Sequence, residues 1–296
     1  MPNSIIEGDG YLIGINLPGT NLAGVENALR TISEDGFQAC EINLSTLPFI
    51  LYGDIKTEVV SFTKAIMEKY DLVYTAHASY GLDLRNASTL PLHQKVLNAS
   101  VMVCSMLGID RLNVHFEEHS PVAEQEQLFF ESIIRAADLG QDLGVAVNVE
   151  NIEVEDARLA LDAVKRVNHP NCKMTLDLGH LYISANYFGY DYFKTLQDCL
   201  PYLGHLHIND NYGVFEPMRM TNKPLYDTLD KGSRFTFGLG DIHIPPFWGS
   251  VPIAKSLKII RDSGYRGIWL CEYYSDRFSP FNHQVYTDVL SCLRNE

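Results

Sequence analysis

The sequence predicts a single-domain (β/α)8 barrel, and three observations support this prediction. The chain has 296 residues, 46% of them hydrophobic, and one barrel of this type normally occupies such a length. Short β-rich runs alternate with longer helical patterns eight times along the chain, which is typical of parallel βαβ units. No GxGxxG motif follows the first predicted strand, which disfavours the alternative of an open doubly wound sheet.

Eight strands are predicted from runs rich in β-branched and aromatic residues. In chain order they are Tyr11–Leu17, Ala39–Ser45, Val73–Ser79, Arg111–Glu117, Val145–Asn151, Lys173–His180, Gly204–Asp210 and Gly267–Tyr273. Apolar residues at spacings of three and four predict helices between them, as over Leu92–Leu107 and Ala157–Val167. Four glycines each lie between a predicted helix and the next strand, where a left-handed residue often ends a helix. They are Gly36, Gly108, Gly144 and Gly264.

No low-complexity linker or change in composition divides the chain, so residues 1–296 are predicted to form one domain. The longest irregular stretch, residues 211–240, lies between the seventh and eighth predicted strands. Active sites of such barrels lie at the carboxyl ends of the strands, so this stretch is a candidate lid. The alternative is a structural excursion that packs on a partner subunit.

The balance of charges argues against a nucleic-acid-binding or membrane-binding protein. The chain has 23 Lys and Arg against 37 Asp and Glu, a formal net charge of −14, whereas proteins that hold a phosphate backbone usually have the opposite balance. No apolar run is long enough to span a membrane, and the opening MPNSIIEGDG lacks the pattern of a signal peptide. The six cysteines form no CxxC pair, so we expect a cytoplasmic protein with reduced thiols.

Six successive predicted strands, the third to the eighth, end in His, Asp or Glu. The residues are His77, His115, Glu150, Asp177 with His180 behind it, His207 and Glu272. Buried carboxylates and imidazoles that face one another are costly unless a charge of the opposite sign compensates them, and a divalent cation does so. Three carboxylates and one imidazole form an oxygen-rich set that suits Mn²⁺, Mg²⁺, Co²⁺ or Zn²⁺. The predicted ligands of one such ion are Glu150, Asp177, His207 and Glu272.

Other polar residues receive less specific predictions. Glu41 and Asn43 end the second strand, either as substrate contacts or as polar residues of the barrel floor. Arg219 and Arg234 lie in the candidate lid. Each either binds an anionic group of the substrate or is an ordinary surface arginine. Five histidines are predicted to lie outside the site, in helices, loops or on alternate strand faces. They are His93, His119, His169, His205 and His283.

Five short motifs resemble those of the xylose isomerase-like TIM barrel superfamily, which contains sugar isomerases and epimerases and, in another branch, endonuclease IV. They are NVEN at 148–151, LDLGH at 176–180, HIND at 207–210, GLGD at 238–241 and CE at 271–272. The resemblance covers essentially the whole chain and implies that the same four predicted ligands hold the metal. It also implies that His180 contacts substrate or a second metal, and that the chain forms a homodimer or homotetramer.

The leading functional hypothesis is a metal-dependent isomerase or epimerase that acts on a small sugar or sugar phosphate. The metal would polarise the carbonyl and stabilise an enediolate. Glu150 and Glu272, from strands five and eight, would flank the sugar, one removing a proton from carbon and the other returning one. The residues assigned to substrate binding are His77, His115, His180, Asp241, His243 and Arg219.

Two alternatives belong to other functional classes. An endonuclease IV-like zinc phosphodiesterase that cleaves abasic DNA would use His77, His115 and the Asp241-x-His243 pair. That pair follows the GLG motif in this chain, whereas in the nuclease it precedes the corresponding glycines, and this departure disfavours a three-zinc cluster. A barrel that binds sugar without turnover is the third hypothesis, because a fold alone does not establish catalysis.

Overall fold

The computed structural model describes residues 10–226, 228–229 and 231–295. Within them, eight parallel strands close into a barrel in which each strand pairs with the next along the chain and the last pairs with the first. The strands are β1 Ile13–Asn16, β2 Ala39–Asn43, β3 Val73–His77, β4 Arg111–His115, β5 Ala146–Glu150, β6 Cys172–Asp177, β7 Leu203–Ile208 and β8 Trp269–Cys271. The predicted (β/α)8 barrel is therefore confirmed. The prediction that the opening of the chain is not a signal peptide falls on residues 1–9, which lie outside the described residues.

Helices surround the barrel. They are α1 Val25–Glu34, α2 Thr57–Met67, α3 Leu90–Leu107, α4 Ala123–Leu143, α5 Ala157–Val167, α6 Leu178–Phe188, α7 Tyr192–Cys199, α8 Met218–Thr221, α9 Lys223–Tyr226, α10 Lys231–Phe237, α11 Ile253–Asp262, α12 Ser275–Phe278 and α13 Asn282–Arg294. Short 3₁₀ turns cover Leu200–Tyr202 and Ser279–Phe281, and a small antiparallel hairpin pairs Ile50–Leu51 with Asp54–Ile55. No helix of the described residues is long and apolar enough to cross a membrane.

The predicted elements agree closely with the observed ones. Helix α5 has the predicted bounds, and α3 begins two residues earlier than predicted, with Pro91 in its first turn. All four predicted glycines have positive φ, between +74° and +100°. The sixth strand ends at Asp177 and not at His180, because the Asp177 carboxylate accepts the His180 backbone N–H and begins α6 there.

The apolar core lies between the strands and the helices. Outward-facing strand residues such as Val114, Val149 and Leu176 are fully buried in it. Side chains alternate along a strand, so their neighbours point into the barrel. In most barrels of this type branched aliphatic residues fill that interior, but here it is largely polar.

One layer of this interior consists of buried polar side chains, which we call the axial polar layer. Its members are Glu41, Thr75, Asn113, Asn148, Thr175 and His205. Each lies two residues before the last residue of its strand, and on β7 His205 lies two residues before His207. Residues two apart on a strand point to the same face, so this layer lies directly below the strand-end residues. Thr75 Oγ1 and Asn113 Nδ2 donate to Glu41 Oε2 over 2.9 and 2.5 Å. The placement of His205 on an alternate strand face was wrong, because His205 and His207 share one face.

The candidate lid, predicted as irregular, contains the short helices α8, α9 and α10 among its described residues. Gly240 N–H donates to Val214 O over 2.9 Å, which joins its two ends. Its side chains reach the carboxyl end of the barrel, where Arg219, Tyr226 and Arg234 line a pocket with barrel residues.

Candidate metal centre at the carboxyl end of the barrel

The four predicted metal ligands converge at the carboxyl end of the barrel. Glu150 ends β5, Asp177 ends β6, His207 lies near the end of β7, and Glu272 follows β8. Each offers a ligand atom, and these atoms all lie within 4.8 Å of one another. All four residues are buried. Parallel strands that close a barrel bring their carboxyl ends to one rim, which explains this convergence.

His207 lies between carboxylates on both sides of its ring. Its Nδ1 is 2.9 Å from Glu150 Oε1 and 3.0 Å from Glu272 Oε2, and its Nε2 is 3.1 Å from Glu41 Oε1. Burial lowers the pKa of His207, but the charges of Glu150, Glu272 and Glu41 outweigh burial and hold this pKa well above its usual range. The cluster thus attracts positive charge, whether a proton or a cation.

Asp177 is held by three neighbours. Its Oδ1 accepts the His180 backbone N–H and its Oδ2 accepts Asn209 Nδ2, both over 2.6 Å. Asn151 bonds both the N–H and the C=O of the Asp177 backbone over 3.0 Å. Burial raises the pKa of Asp177 to about 6, although the charges of His180 and His243 oppose this shift. These contacts keep the carboxylate aimed at the centre of the cluster.

Sequence reasoning missed Asn151 and Asn209 as functional residues. Both lie in the NVEN and HIND motifs, one residue after Glu150 and two residues after His207. Supporting residues of this kind orient metal ligands in many proteins. The sequence did contain a signal for them, because an asparagine closely follows each of two predicted ligands.

The cluster fits a divalent cation on its own chemistry. Glu150 Oε2 and Glu272 Oε2 are buried and accept no well-aligned hydrogen bond from the described residues, and their near neighbours are the imidazole nitrogens of His77 and His207 at 3.2 and 3.0 Å. Such oxygens are costly to bury without a partner, and three carboxylates with one imidazole are ligands that Mg²⁺, Mn²⁺, Co²⁺ and Zn²⁺ accept. Glu150, Asp177, His207 and Glu272 are therefore the residues that would hold it.

A second group combines His77, His115 and Glu150. His77 Nε2 lies 3.1 Å from His115 Nε2 and 3.2 Å from Glu150 Oε2. Since His77 Nδ1 contacts the Ala78 carbonyl at 2.8 Å, its proton belongs there and Nε2 is free to act as a ligand. Burial lowers the pKa of His77, but Glu150 outweighs burial through a hydrogen bond and its charge, and the pKa rises to about 9.

A third group combines His180, Asp241 and His243. Asp241 Oδ2 lies 3.3 Å from His180 Nε2 and 2.8 Å from His243 Nε2. The Nδ1 atoms of the two histidines contact the carbonyls of Asn151 and Glu272, at 2.9 and 2.8 Å. His243 has a φ of +39°, which is strained for this residue type and is common at functional sites. The motif order disfavoured this group, but the folded chain brings its three residues together.

The carboxyl-end pocket has a volume of about 360 Å³ and walls of opposite charge. Glu272 and Asp241 lie on the barrel side, while Arg219 and Arg234 lie on the candidate-lid side. Arg219 hydrogen-bonds the buried Glu153 carboxylate. Arg219 therefore lines the pocket as predicted, but its guanidinium is already paired with a carboxylate.

Glu41 and Asn43, left open by the sequence, occupy different places. Glu41 lies inside the barrel beneath the cluster, and its Oε2 is 3.3 Å from His205 Nε2. Burial lowers the pKa of His205 to about 4. Asn43 lines an adjoining rim pocket of about 650 Å³ that shares Glu272 with the carboxyl-end pocket. It accepts the N–H of Ser45 over 2.9 Å and is not among the four converging ligands.

Comparison with known proteins gives a family and a set of similar folds. A family model described as xylose isomerase-like TIM barrel matches residues 29–296. No curated protein sequence matches the chain.

Three solved structures illustrate the fold similarity. A D-tagatose 3-epimerase-like protein has 16% identity and a TM-score of 0.72, over 96% of this chain and 98% of that one. The 3-keto-D-glucoside 4-epimerase YcjR from E. coli has 15% identity and a TM-score of 0.69, over 96% and 100%. A xylose isomerase-like TIM barrel protein from Mycobacterium smegmatis in complex with magnesium has 14% identity and a TM-score of 0.67, over 95% and 98%. At these identities the similarity establishes the fold alone.

Proposed function

The chain belongs to the xylose isomerase-like TIM barrel family, and on that premise we propose that it is a divalent-metal-dependent isomerase or epimerase of a sugar or sugar phosphate. One observation carries the proposal. Glu150, Asp177, His207 and Glu272 meet within 4.8 Å, and two of their buried carboxylate oxygens accept no well-aligned hydrogen bond from the described residues. Two similar structures are named as a sugar epimerase or as epimerase-like, which agrees with this reaction class.

The two glutamates supply the proton-transfer chemistry of the proposal. A divalent cation in this cluster would polarise a substrate carbonyl and reduce the cost of negative charge on its oxygen. Glu150 comes from β5 and Glu272 follows β8, so their carboxylates approach a bound sugar from different sides of the rim. One carboxylate removes a proton from the carbon beside the carbonyl, and the other returns a proton to that carbon or to its neighbour. The first outcome is epimerisation and the second is isomerisation.

The pocket walls support the same reaction. Tyr80 and Tyr274 line the pocket beside Glu272, and aromatic rings of this kind offer apolar faces to a sugar and keep water away. His180 and His243 also line the pocket and are placed to hydrogen-bond sugar hydroxyls. Arg219, which lines the pocket, is proposed to contact the substrate. Its ion pair with Glu153 also holds the candidate lid against the barrel.

Solvent hydrogen exchange tests the proposal even when the product of the reaction is unknown. Metal-loaded protein is incubated in D₂O with a panel of ketoses, aldoses and their phosphates, and NMR follows loss of the proton beside the carbonyl. We expect exchange in at least one sugar. Glu150→Gln and Glu272→Gln should lower its rate by about 100-fold or more, while Glu131→Gln, an exposed control, should leave it unchanged. Wild-type rates in either active-site variant would contradict the role assignment.

A second candidate function is hydrolysis of a phosphodiester at a site with several metal ions. The observation that favours it is the convergence of the second and third groups beside the first, since their histidine-rich ligands suit Zn²⁺. Clustered metal ions stabilise the attacking and leaving oxygens of phosphoester displacement. The net charge of −14 opposes binding to a long nucleic acid.

Metal content separates the two functions. About one Mg, Mn, Co or Zn ion per chain, with sugar exchange, supports the isomerase or epimerase. About three zinc ions per chain, with nicking of a duplex that contains an abasic site, support the phosphodiesterase and contradict the leading proposal. The measurement is elemental analysis of protein purified without chelator, followed by both assays on the same sample.

A further inference from the structure

A second pocket lies at the opposite, amino-terminal end of the barrel. It has a volume of about 500 Å³, and residues at the starts of β4, β5, β6 and β7 line it together with the segment that precedes β8. Arg111 and Lys173 come from the strand starts, and Arg266 comes from that segment. The carboxyl-end cluster occupies the other rim of the barrel, so the two sites are separate.

The charge of this pocket is opposite to that of the protein. Arg111, Lys173 and Arg266 line it, and no Asp or Glu is among the described residues of its wall. The whole chain has a formal net charge of −14. Three cations around one cavity, without an acidic partner in its wall, concentrate positive potential in a protein that otherwise repels anions.

Two further features show a cavity prepared for a ligand. Asn148 is 1% exposed and lines the pocket, and its Nδ2 has no hydrogen-bond acceptor among the described residues. Gly204 also lines the pocket, and a Cβ at that position would lie 2.7 Å from Lys173 Cβ and 2.8 Å from Asn148 Oδ1. The glycine thus keeps open the space between the buried Asn148 side chain and Lys173.

We propose that this pocket binds a phosphate-type oxyanion, either inorganic phosphate or the phosphate group of a small metabolite. Its charged groups are two guanidinium groups and one ammonium group, and the Asn148 amide adds an N–H donor without an acceptor among the described residues. Guanidinium groups match phosphate oxygens in pairs, and an ammonium group adds a point charge. A cavity of this volume falls in the range of ligand pockets and exceeds what a bare phosphate fills, so a phosphomonoester fits it.

The inference goes beyond the proposed function and does not depend on it. Arg111 also contacts the axial polar layer, with its guanidinium 3.3 Å from His205 Nδ1. The test therefore changes Lys173 and Arg266, which are exposed at the pocket edge, and leaves Arg111 in place.

Calorimetric titration of the metal-bound protein at low salt tests the proposal, with inorganic phosphate and glycerol 3-phosphate as separate ligands. The double variant K173A/R266A should weaken binding of both ligands about tenfold or more. The matched control R135A/K194A removes the same charge from exposed helix faces and should bind as the wild type does. Tighter binding of glycerol 3-phosphate than of phosphate identifies a metabolite as the ligand, and equal affinity identifies the free ion.

A charge-neutral variant separates a built site from general attraction. Asn148→Ala removes the buried carboxamide without changing the charge and should weaken binding about threefold or more. An unchanged circular dichroism spectrum and a cooperative unfolding transition confirm the fold of this variant. Unchanged affinity in K173A/R266A, or an equal loss in the control, would overturn the proposal. Absence of any detectable binding would also overturn the proposal. So would a binding heat that K173A/R266A retains and Asp177→Asn abolishes, because that result assigns the ion to the carboxyl-end cluster.

Discussion

Glu41 on β2 and His207 on β7 belong to strands that are not neighbours, yet Glu41 Oε1 lies 3.1 Å from His207 Nε2 inside the barrel. The carboxylate holds a proton on Nε2 and leaves Nδ1 turned toward Glu150 and Glu272. Glu41 is 1% exposed and lies beneath the cluster. It therefore acts through His207, as a positioning residue.

Replacing Glu41 by Gln should weaken metal binding about 10- to 100-fold, the usual cost of losing such an outer carboxylate. Gln retains an acceptor for Thr75 and Asn113 but loses the charge that orients His207. Calorimetric titration of metal into metal-free protein measures the affinity. Glu34→Gln, an exposed control on α1, should bind metal normally, and normal affinity in Glu41→Gln would remove the positioning role.

Replacing Asp177 by Asn should stabilise the metal-free protein at pH 8 and abolish its stabilisation by metal. Since burial raises the pKa of Asp177 from 3.8 to about 6, ionising it above that pH costs folding free energy, by about 3 kcal/mol. Asn209 Oδ1 has no donor among the described residues and can accept from the new amide after a flip. Thermal unfolding with and without metal measures both effects, and a lower melting temperature of the metal-free variant would contradict the expectation.

The metal-free protein should lose stability as pH rises from about 6.5 to about 10. His77 and His243 have pKa values raised from 6.5 to about 9 and about 10, because Glu150 and Asp241 outweigh burial. A raised folded-state pKa contributes stability that is complete below the unfolded pKa and is lost as pH passes the folded one. Stabilisation by added metal should grow over the same window, because fewer protons compete for the ligands.

Melting temperatures between about pH 6 and pH 10, with and without chelator, check this expectation. His77→Gln should lose less stability over that window than the wild type. His283→Gln, a control on the outer surface, should match the wild type. A melting temperature of the metal-free protein that stays flat or rises would show that these histidines are not protonated in the fold.

Replacing Gly179 by Ala should disturb the candidate metal cluster indirectly, by displacing a residue that supports one of its ligands. A Cβ at this position would lie 1.8 Å from Asn209 Oδ1, so Asn209 must move away from Asp177 Oδ2. We expect a loss of about 1–3 kcal/mol in the free energy of unfolding, typical of overpacking, together with weaker metal binding. Gly19→Ala has no atom within 4 Å of the new Cβ and is the matched control, which should preserve both quantities.

Replacing Arg219 by Ala should loosen the candidate lid. The change leaves the buried Glu153 carboxylate without the guanidinium that bonds it, which favours detachment of α8 from the barrel. Hydrogen exchange should accelerate in peptides from residues 214–226 while barrel peptides keep their protection. Arg135→Ala, which breaks an exposed ion pair on α4, should leave that segment unchanged, and equal protection in both variants would show that the Arg219–Glu153 salt bridge does not hold the segment.

The barrel and its ligand set were predictable because they follow from local rules. Strand and helix periods alternate clearly, and parallel strands that close a barrel place their last residues on one rim. Knowing which residues end the strands was therefore enough to group Glu150, Asp177, His207 and Glu272. Whether these residues bind metal and catalyse proton transfer stays a prediction.

His180, Asp241 and His243 of the third group were each assigned to substrate binding, but their close grouping was not predictable, because it depends on the path of a long loop. Asp210 fixes that path by accepting the N–H groups of Gly249 and Val251 and by bridging to Ile244. These contacts bring His243 back to His180, and no spacing rule encodes them. The role of Glu41 was hidden for a different reason, since it appears only when opposite strands face each other across the barrel.

With metal bound as proposed, the axial polar layer would make the amount of folded protein depend on ion supply. Amides, carboxylates and imidazoles occupy the place where most barrels bury aliphatic side chains, so this interior supplies less hydrophobic driving force of its own. A cation that binds only the native chain adds RT ln(1 + [M]/Kd), about 2.7 kcal/mol at one hundred times Kd. In a cell starved of that metal, a larger share of chains would unfold and meet proteases, so protein abundance would follow metal availability even at constant synthesis.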